Sequence, residues 1–332
     1  MAQHVPASRP DILQTAALRG DALTAGSNTR RSTWSTPLRR REAIAGVVFI
    51  LPWVLSLLAF TTYPVLATFY LSFTQYTVIN PPEWIGLQNY QTMLQQDPVF
   101  WLALKNSAIY SLVSVPLKLL LALFLALVLN QSVRGIGIYR TLMYLPALVP
   151  PVAASIVFIL LFTPNAGPVN LILSGIGLRP PSWLDDPNWS KPVLIILSLW
   201  PLGVETLAFL AGLKEIPQDL LDSASLDGAG VWQRLRSVII PLLTPVILFN
   251  LVVGIIYSFQ VFTQAVVVGG MEGEPLESTL MFVVLIYRNA FRYFSMGYAA
   301  ALSVVLFLIV LLLTLLIFRS SRWWVHYEGG EA

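Results

Sequence analysis

The sequence predicts an all-α integral membrane protein with six transmembrane helices and both termini in the cytoplasm. Its 332 residues are 56% hydrophobic and 11% charged, whereas about 25% of an ordinary soluble domain is charged. Six apolar stretches are long enough to cross a bilayer core, which needs about 20 helical residues. Basic residues are concentrated in alternate connecting segments, as expected for the cytoplasmic side. This composition excludes a soluble enzyme.

In chain order, the predicted spans occupy residues 44–72, 104–129, 142–162, 193–213, 238–261 and 296–318. The first apolar run has no charged residue from position 43 to position 82. Because the apolar core of a signal peptide has only about 7–15 residues, we interpret this run as a retained span. A further apolar stretch, 279–291, is too short to cross, and we expect it to lie at the outer surface or to re-enter the bundle.

Residues 1–42 are rich in arginine and have no helical periodicity, so we predict a disordered cytoplasmic tail. Its arginines also suit anionic lipid. With this tail in the cytoplasm, fourteen of the 20 Lys and Arg residues fall on the same side of the bilayer. The formal charge of +3 therefore indicates membrane topology, and we expect no nucleic-acid partner.

The residues needed for most enzyme and metal chemistry are missing from the sequence. It has no cysteine, and its two histidines are His4 and His326, one near each end. Neither a histidine metal cluster nor a Ser-His-Asp triad can form within the spans. No GxxxxGK[ST] segment is present, so any ATP that drives this protein must be bound by another chain. We predict no enzyme activity, no metal site and no cofactor bound by this chain.

Residues 214–237 form the longest polar stretch between predicted inner spans. Pro217 suits the first turn of a helix, and the aspartates that follow complement its N-terminal dipole. Gly228 can take the positive φ that ends this helix, and a second short helix is predicted over 231–237. The expected helix-turn-helix is suited to docking in a groove of a partner. An ordinary solvated loop is the alternative interpretation.

The sequence DSASLDGAG at 222–230, followed by IPLL at 240–243, resembles the EAA loop of binding-protein-dependent ABC importer permeases. In that family, the loop inserts into a cleft of the ATPase subunit and couples nucleotide-driven closure to the spans. Here an aspartate replaces the usual glutamate and a serine replaces the first alanine. The resemblance implies that the ATPase-coupling residues are Asp222, Ser223, Ala224, Ser225, Asp227, Gly228, Gly230 and Pro241.

Other phrases resemble the sugar permease branch of this family, which includes the maltose and glycerol-3-phosphate importers. They are YP at 63–64, YLSF at 70–73, WIGLQNY at 84–90, LKNS at 104–107, YRT at 139–141, LP at 145–146 and GYAAALS at 297–303. The branch's usual TxGGP phrase after the fifth span is altered here to VGGM at 268–271.

This resemblance implies the type I permease fold of ABC importers and a place in the prokaryotic cytoplasmic (inner) membrane. A six-span permease domain would cover 43–320, with a coupling loop at 214–241 and a cytoplasmic tail at 321–332. The implied function is ATP-driven import of a sugar or related polyol. The implied partners are a second permease subunit, two copies of an ABC ATPase that binds ATP and Mg, and an extracytoplasmic sugar-binding protein.

Lys118 and Glu205 are the charges set most deeply in the predicted spans. Ionisable residues within a membrane are costly and are functional candidates by default. Counted at 1.5 Å per residue from the outer ends of their spans, both descend about 20 Å. We hypothesise that they pair. The alternative is that Lys118 extends towards the inner surface or makes a structural contact between helices.

A sugar pathway needs amides, hydroxyls and aromatic rings on inward faces. The fifth span provides Asn250, Tyr257, Gln260 and Gln264. Three of these recur at intervals of seven and are predicted to share one helix face. Trp200, at the fourth span, could stack on a pyranose ring. The alternative is that these groups bond neighbouring helices.

Two other functions compete with the importer. In an ion-gradient-driven secondary transporter, Glu205 and Lys118 would form an ion relay and the 214–241 loop would be a linker. A membrane anchor without a transport path would tolerate substitution of every polar residue in the spans.

Overall fold

The structure, a computed structural model, describes residues 37–131 and 133–326. Most of the predicted tail at 1–42 and the end of the tail at 321–332 lie outside these residues. Residues 37–42 of the predicted tail are helical and not disordered, because the first helix, α1, covers Pro37–Leu57. The all-α membrane class is confirmed, since helices dominate the described chain.

Contacts divide the chain into two compact units, one ending at Pro64 and the other beginning at Val65. Helix α1 is followed by a π-turn, Leu58–Thr62, and by helix α2, Tyr63–Leu71. Together these elements form a continuous apolar stretch long enough to cross a membrane.

A short β-hairpin follows α2 and is an exception to the all-α prediction. Strand β1, Thr74–Gln75, pairs antiparallel with β2, Glu83–Trp84. The Asn89 amide, from helix α3, Gln88–Gln95, donates to the carbonyls of Ser72 and Thr74 at 2.9 Å each. The 84–90 phrase thus fixes the end of the first span.

The longest helix, α4, is Pro98–Leu129 and begins six residues before the predicted second span. The Asp97 carboxylate caps it by accepting from the amides of Val99 and Phe100 at 2.9 and 3.3 Å. The same carboxylate accepts a 2.6 Å hydrogen bond from the Tyr298 hydroxyl of the last span. Such a cap satisfies amide groups that the helix itself leaves unbonded.

The third and fourth predicted spans are broken helices, which corrects the expectation of continuous spans. Helix α5, Ile136–Tyr144, runs into a 3₁₀ turn, Leu145–Leu148, and the chain bends by 95° before helix α6, Pro151–Leu161. Prolines 146, 150 and 151 remove helical donors at the bend. Helix α7, Pro168–Gly175, follows.

The other break separates α8, Pro187–Leu199, from α9, Gly203–Glu215, with a bend of 49°. The two breaks meet, because a Cβ on Gly203 would lie 2.7 Å from the Tyr144 Cα and 2.9 Å from the Met143 carbonyl oxygen. Within the described residues, four helices are long enough to span a membrane, or six spans if each bent pair counts as one.

The chain then forms α10, Gln218–Leu226, and α11, Val231–Arg234, followed by a second π-turn, Leu235–Ile239, and α12, Ile240–Phe259. Residues 231–237 are helical as predicted, but this helix is not short, because α11, the π-turn and α12 form one continuous helix of 29 residues. We call residues 218–234 the knob.

Proline explains two of the π-turns. The Ile240 amide bonds to the Leu235 carbonyl five residues earlier, and Pro241 follows directly. In a regular α-helix, a proline ring clashes with the carbonyl four residues before it. The wider π-turn relieves this clash. The Leu58–Thr62 turn has the same arrangement, with Tyr63 bonded to Leu58 and a proline next.

After α12 the chain forms α13, Thr263–Gly269, then α14, Phe282–Tyr287, a third π-turn, Arg288–Arg292, and α15, Met296–Ser321. The apolar 279–291 stretch packs against the protein, because Phe282, Val284 and Leu285 are buried. The Asn106 amide of α4 donates to carbonyls of this region, and the Ser107 hydroxyl accepts from the Phe282 amide at 2.8 Å. The 104–107 phrase therefore fastens the segment to α4.

Two of the apolar clusters lie towards opposite ends of helix α4. A large cluster around Phe100, Phe282 and Leu302 joins α4, α14 and α15. A second cluster around Phe209 and Leu243 joins α4, α9 and α12 near the knob. A polar cavity lies along α4, α9 and α12 between these two clusters.

Candidate functional site

The knob owes its shape to the turn at Gly228. This glycine has a φ of +79°, a conformation that costs other residues energy. The Gly228 amide bonds to the Ser225 carbonyl and the Ala229 amide bonds to the Ala224 carbonyl. This is the Schellman arrangement, in which two otherwise unbonded carbonyls at a helix end are satisfied. The sequence-based prediction of a positive φ at Gly228 is confirmed.

A side-chain hydrogen bond joins the two arms of the knob, α10 and α11, and further bonds lie within each arm. The Arg234 guanidinium donates to the Ser225 hydroxyl at 2.9 Å, and the Gly230 amide donates to the Gln233 side-chain oxygen at 2.7 Å. Asp222 accepts from the Gln218 amide at 3.1 Å within the first arm. Three of the residues implied to couple to an ATPase, Asp222, Ser225 and Gly230, thus shape the knob itself. Pro241 lies in the helix that leaves it.

Three large apolar side chains are exposed around the knob turn. Leu226 is 89% exposed, Val231 77% and Trp232 69%. None of the three is among the residues predicted to couple to an ATPase. The signal was present, since these apolar residues flank the DGAG turn on a polar segment. An exposed apolar patch with a polar rim is typical of a protein-contact surface, and the three side chains lie around one turn.

A cavity of about 710 Å³ lies among α4, α9, α12 and α13, within the range of small-molecule sites. Six of the predicted pathway residues line it, namely Lys118, Glu205, Asn250, Tyr257, Gln260 and Gln264. The polar residues predicted from one helix face therefore share a single space.

Lys118 and Glu205 are paired, as hypothesised. The Lys118 Nζ lies 2.6 Å from the Glu205 Oε1, and the two side chains are 25% and 20% exposed. The pair joins α4 to the first turn of α9. The second carboxylate oxygen, Oε2, is buried and has no hydrogen-bond donor within the part of the chain that the structure describes. The positions of both charges are thus fixed relative to the cavity.

Two predictions about the cavity are wrong in detail. The helix ends at Phe259, so Gln264 belongs to α13 and not to the face that carries Asn250. Trp200 does not line the cavity. It lies at the break between α8 and α9, and its ring is 6.0 Å from that of Phe158. The expected stacking of Trp200 on a sugar ring is therefore not available in this cavity.

The cavity also contains polar residues that sequence reasoning missed. Tyr110, Ser114 and Ser198 line it beside Lys118. The spacing of Tyr110, Ser114 and Lys118 at intervals of four marks one face of α4. That polar stripe in an apolar helix was the available signal. Nearby, the hydroxyls of Ser258 and Ser111 bond at 2.6 Å between α12 and α4.

Four continuous apolar helices, two broken ones, a polar cavity and an exposed helical knob define a multi-pass transport permease. The chain belongs to the family described as binding-protein-dependent transport system inner membrane component, whose model matches residues 118–324. It is therefore an inner-membrane permease of the ABC importer type.

Known proteins resemble the chain over most of its length. The probable ABC transporter permease protein YesP of Bacillus subtilis is 42% identical over 294 residues, 88% of this chain and 95% of that protein. The lactose transport system permease protein LacF of Rhizobium radiobacter is 35% identical, covering 88% of this chain and 98% of LacF.

A solved bacterial ABC transporter involved in the import of the acidic polysaccharide alginate has a similar chain. It matches with a TM-score of 0.72 and 25% identity, over 86% of this chain and 98% of that chain. These comparisons give no support to the ion-gradient-driven secondary transporter.

Proposed function

We propose that this chain carries a sugar or related polyol across the cytoplasmic membrane, driven by ATP hydrolysis on a separate ATPase subunit. The observation that carries the proposal is that one helix joins the knob to the cavity. The continuous helix Val231–Phe259 has 29 residues, a length of about 43 Å at 1.5 Å per residue. It begins in the knob and carries Asn250 and Tyr257 into the cavity.

In this proposal, the knob lies in the cytoplasm and docks in a groove of the ATPase through the coupling residues. The exposed apolar residues Leu226, Val231 and Trp232 add contact area. ATP and Mg are held by the ATPase, and this chain binds no cofactor. Closure of the ATPase pair displaces the knob, and the continuous helix transmits that displacement to the cavity.

The remaining partners follow from the family and from the relatives' names. A second permease subunit would complete the pathway, two ATPase copies would serve the pair, and an extracytoplasmic sugar-binding protein would deliver the cargo. LacF is named as a lactose permease, which supports a sugar cargo here. The neutral amides and hydroxyls of the cavity suit the same cargo.

A cysteine at the knob should crosslink to the ATPase. Because the chain has no native cysteine, Ser225→Cys gives a single reactive thiol, and Ser225 is exposed. We expect a thiol-reactive crosslinker in native membranes to capture the ATPase from this position. The readout is identification of the crosslinked partner by mass spectrometry.

The matched control is Ser174→Cys, an exposed serine of α7 on the predicted outer side, which should capture no ATPase. Capture from Ser174 but not from Ser225 in well-expressed protein would reverse the proposed orientation. It would also mean that the knob is a connecting loop that does not dock to the ATPase.

Substituting the polar cavity residues should slow transport without affecting assembly. Tyr257→Phe and Gln260→Ala each remove hydrogen-bonding groups that line the cavity. A net hydrogen bond contributes about 0.5–1.5 kcal/mol, so we expect each change to alter transport rate or selectivity about two- to tenfold. The measurement is uptake of labelled sugar by the whole importer in proteoliposomes.

Tyr139→Phe serves as the control, because Tyr139 is exposed on α5 and does not line the cavity. Unchanged affinity and selectivity in both cavity variants would remove these residues from the sugar pathway.

A further inference from the structure

The cavity has no net formal charge. Among the described residues that line it, the charged ones are Lys118 and Glu205, and they neutralise each other in an ion pair of 2.6 Å. Both side chains are at least three-quarters buried. Charges in such surroundings are screened less than those at a protein surface. The pair therefore presents a cargo with balanced charge and not with a free cation.

The other polar groups of the cavity are neutral. They are hydroxyls and amides from Tyr110, Ser114, Ser198, Asn250, Tyr257, Ser258, Gln260, Thr263 and Gln264. Groups of this kind replace the water around a polyhydroxylated molecule by donating and accepting hydrogen bonds. They contribute no formal charge to hold a carboxylate.

The Glu205 carboxylate also disfavours a second carboxylate beside it. Its Oε1 is bonded to Lys118, whereas its Oε2 is buried and has no donor in the described part of the chain. A hydroxyl of the cargo can donate a hydrogen bond to a carboxylate, whereas an ionised carboxylate on the cargo has no proton to donate.

An acidic sugar would bind unfavourably beside the Lys118–Glu205 pair. To bind its carboxylate, Lys118 would have to release Glu205, and two carboxylates would then compete for one ammonium group. Like charges placed together at an interface are strongly unfavourable. The similar fold of an alginate transporter indicates that this architecture does not itself set cargo charge, so the lining residues must do so.

We infer that the cargo is an uncharged carbohydrate and that the Lys118–Glu205 pair is the specificity-determining element that excludes acidic sugars. This inference rests on the proposed function and deepens it. Lys118 alone would favour an anionic cargo. Because Glu205 neutralises its charge, the cavity favours a neutral, hydroxyl-rich cargo. The role assigned to the pair is thus one of selection by charge.

The test is saccharide binding to the purified importer in nanodiscs, measured by saturation-transfer NMR. The probes are neutral di- and trisaccharides of hexoses and the same saccharides after oxidation of their primary alcohols to carboxylates. For the wild type we expect neutral probes to bind at least about tenfold better than their oxidised counterparts. Glu205→Gln, which leaves Lys118 unpaired, should shift this ratio at least about tenfold towards the oxidised probes.

The double variant Lys118→Met with Glu205→Gln restores a neutral cavity and should return the ratio to that of the wild type. Glu272→Gln is the matched control, because it removes a carboxylate from an ion pair with Arg288 outside the cavity lining. It should leave the ratio unchanged. If Glu205→Gln does not assemble, the wild-type ratio and the double variant still decide the question.

Equal or better binding of oxidised probes by the wild type would overturn the charge inference while leaving sugar import intact. An unchanged ratio in an assembled Glu205→Gln variant would overturn the role of the pair. Failure of every saccharide, neutral or oxidised, to bind or to be imported would instead contradict the proposed sugar function.

Discussion

Replacing Gly228 by valine is expected to lower ATP-driven transport about 30- to 140-fold while the membrane helices remain assembled. Gly228 has a φ of +79°, and a β-branched residue in that conformation is strained by about 2–3 kcal/mol. The knob would relax by giving up the Schellman bonds at Ser225 and Ala224. Docking to the ATPase would then have to restore the strained shape, and about 1.4 kcal/mol corresponds to a tenfold change in an equilibrium.

Gly177→Val provides the comparison, because Gly177 has a φ of +83° and open space around it but lies far from the knob in sequence. The readouts are transport and substrate-stimulated ATP hydrolysis, with permease assembly checked by size-exclusion chromatography. If both variants lost transport equally, strain in general and not the shape of the knob would be the cause.

Replacing Gly203 by valine is expected to destabilise the protein by about 3 kcal/mol and to abolish transport. A Cβ at this position would lie 2.7 Å from the Tyr144 Cα and 2.9 Å from the Met143 carbonyl oxygen. Both atoms belong to the backbone, so no side-chain rotation relieves the clash. The two broken spans would have to separate at the point where they meet, beside cavity residues Pro201 and Val204.

Gly175→Val is the matched control, since Gly175 is also a helical glycine but has no atom within contact distance of an added Cβ. It should change stability by less than about 0.5 kcal/mol. Thermal unfolding in detergent, followed by the fraction that remains monodisperse, measures both variants. Equal stability of the two would mean that the breaks do not need this close approach.

The sequence was sufficient to predict the long helices and most of the cavity. Hydropathy identifies a span because burial in lipid depends on average composition. The predicted second span therefore ends at Leu129, where α4 also ends. Its start was placed six residues late, because the Asp97 cap is a local hydrogen bond that an average does not detect. The Lys118–Glu205 pair was predicted from depth alone, since unpaired charges at that depth are costly.

The sequence did not indicate where a helix bends or in which direction it continues after the bend. A hydropathy average over 142–162 is the same for a straight helix and for one bent by 95°. Trp200 was misplaced for the same reason, because it lies at a bend where helical spacing no longer indicates a face. Gln264 was assigned to the wrong helix because a repeat of seven was extended past Phe259, where the helix ends.

The π-turn Leu235–Ile239 has a consequence for the helix that leaves the knob. A π-turn holds one residue more than the α-turn it replaces. Losing that residue would turn the π-turn into a regular α-turn and change the local path of the helix next to the knob, with every knob side chain unchanged. Because Pro241 favours the wider turn, the helix path beside the knob depends on one residue that lies outside the knob itself.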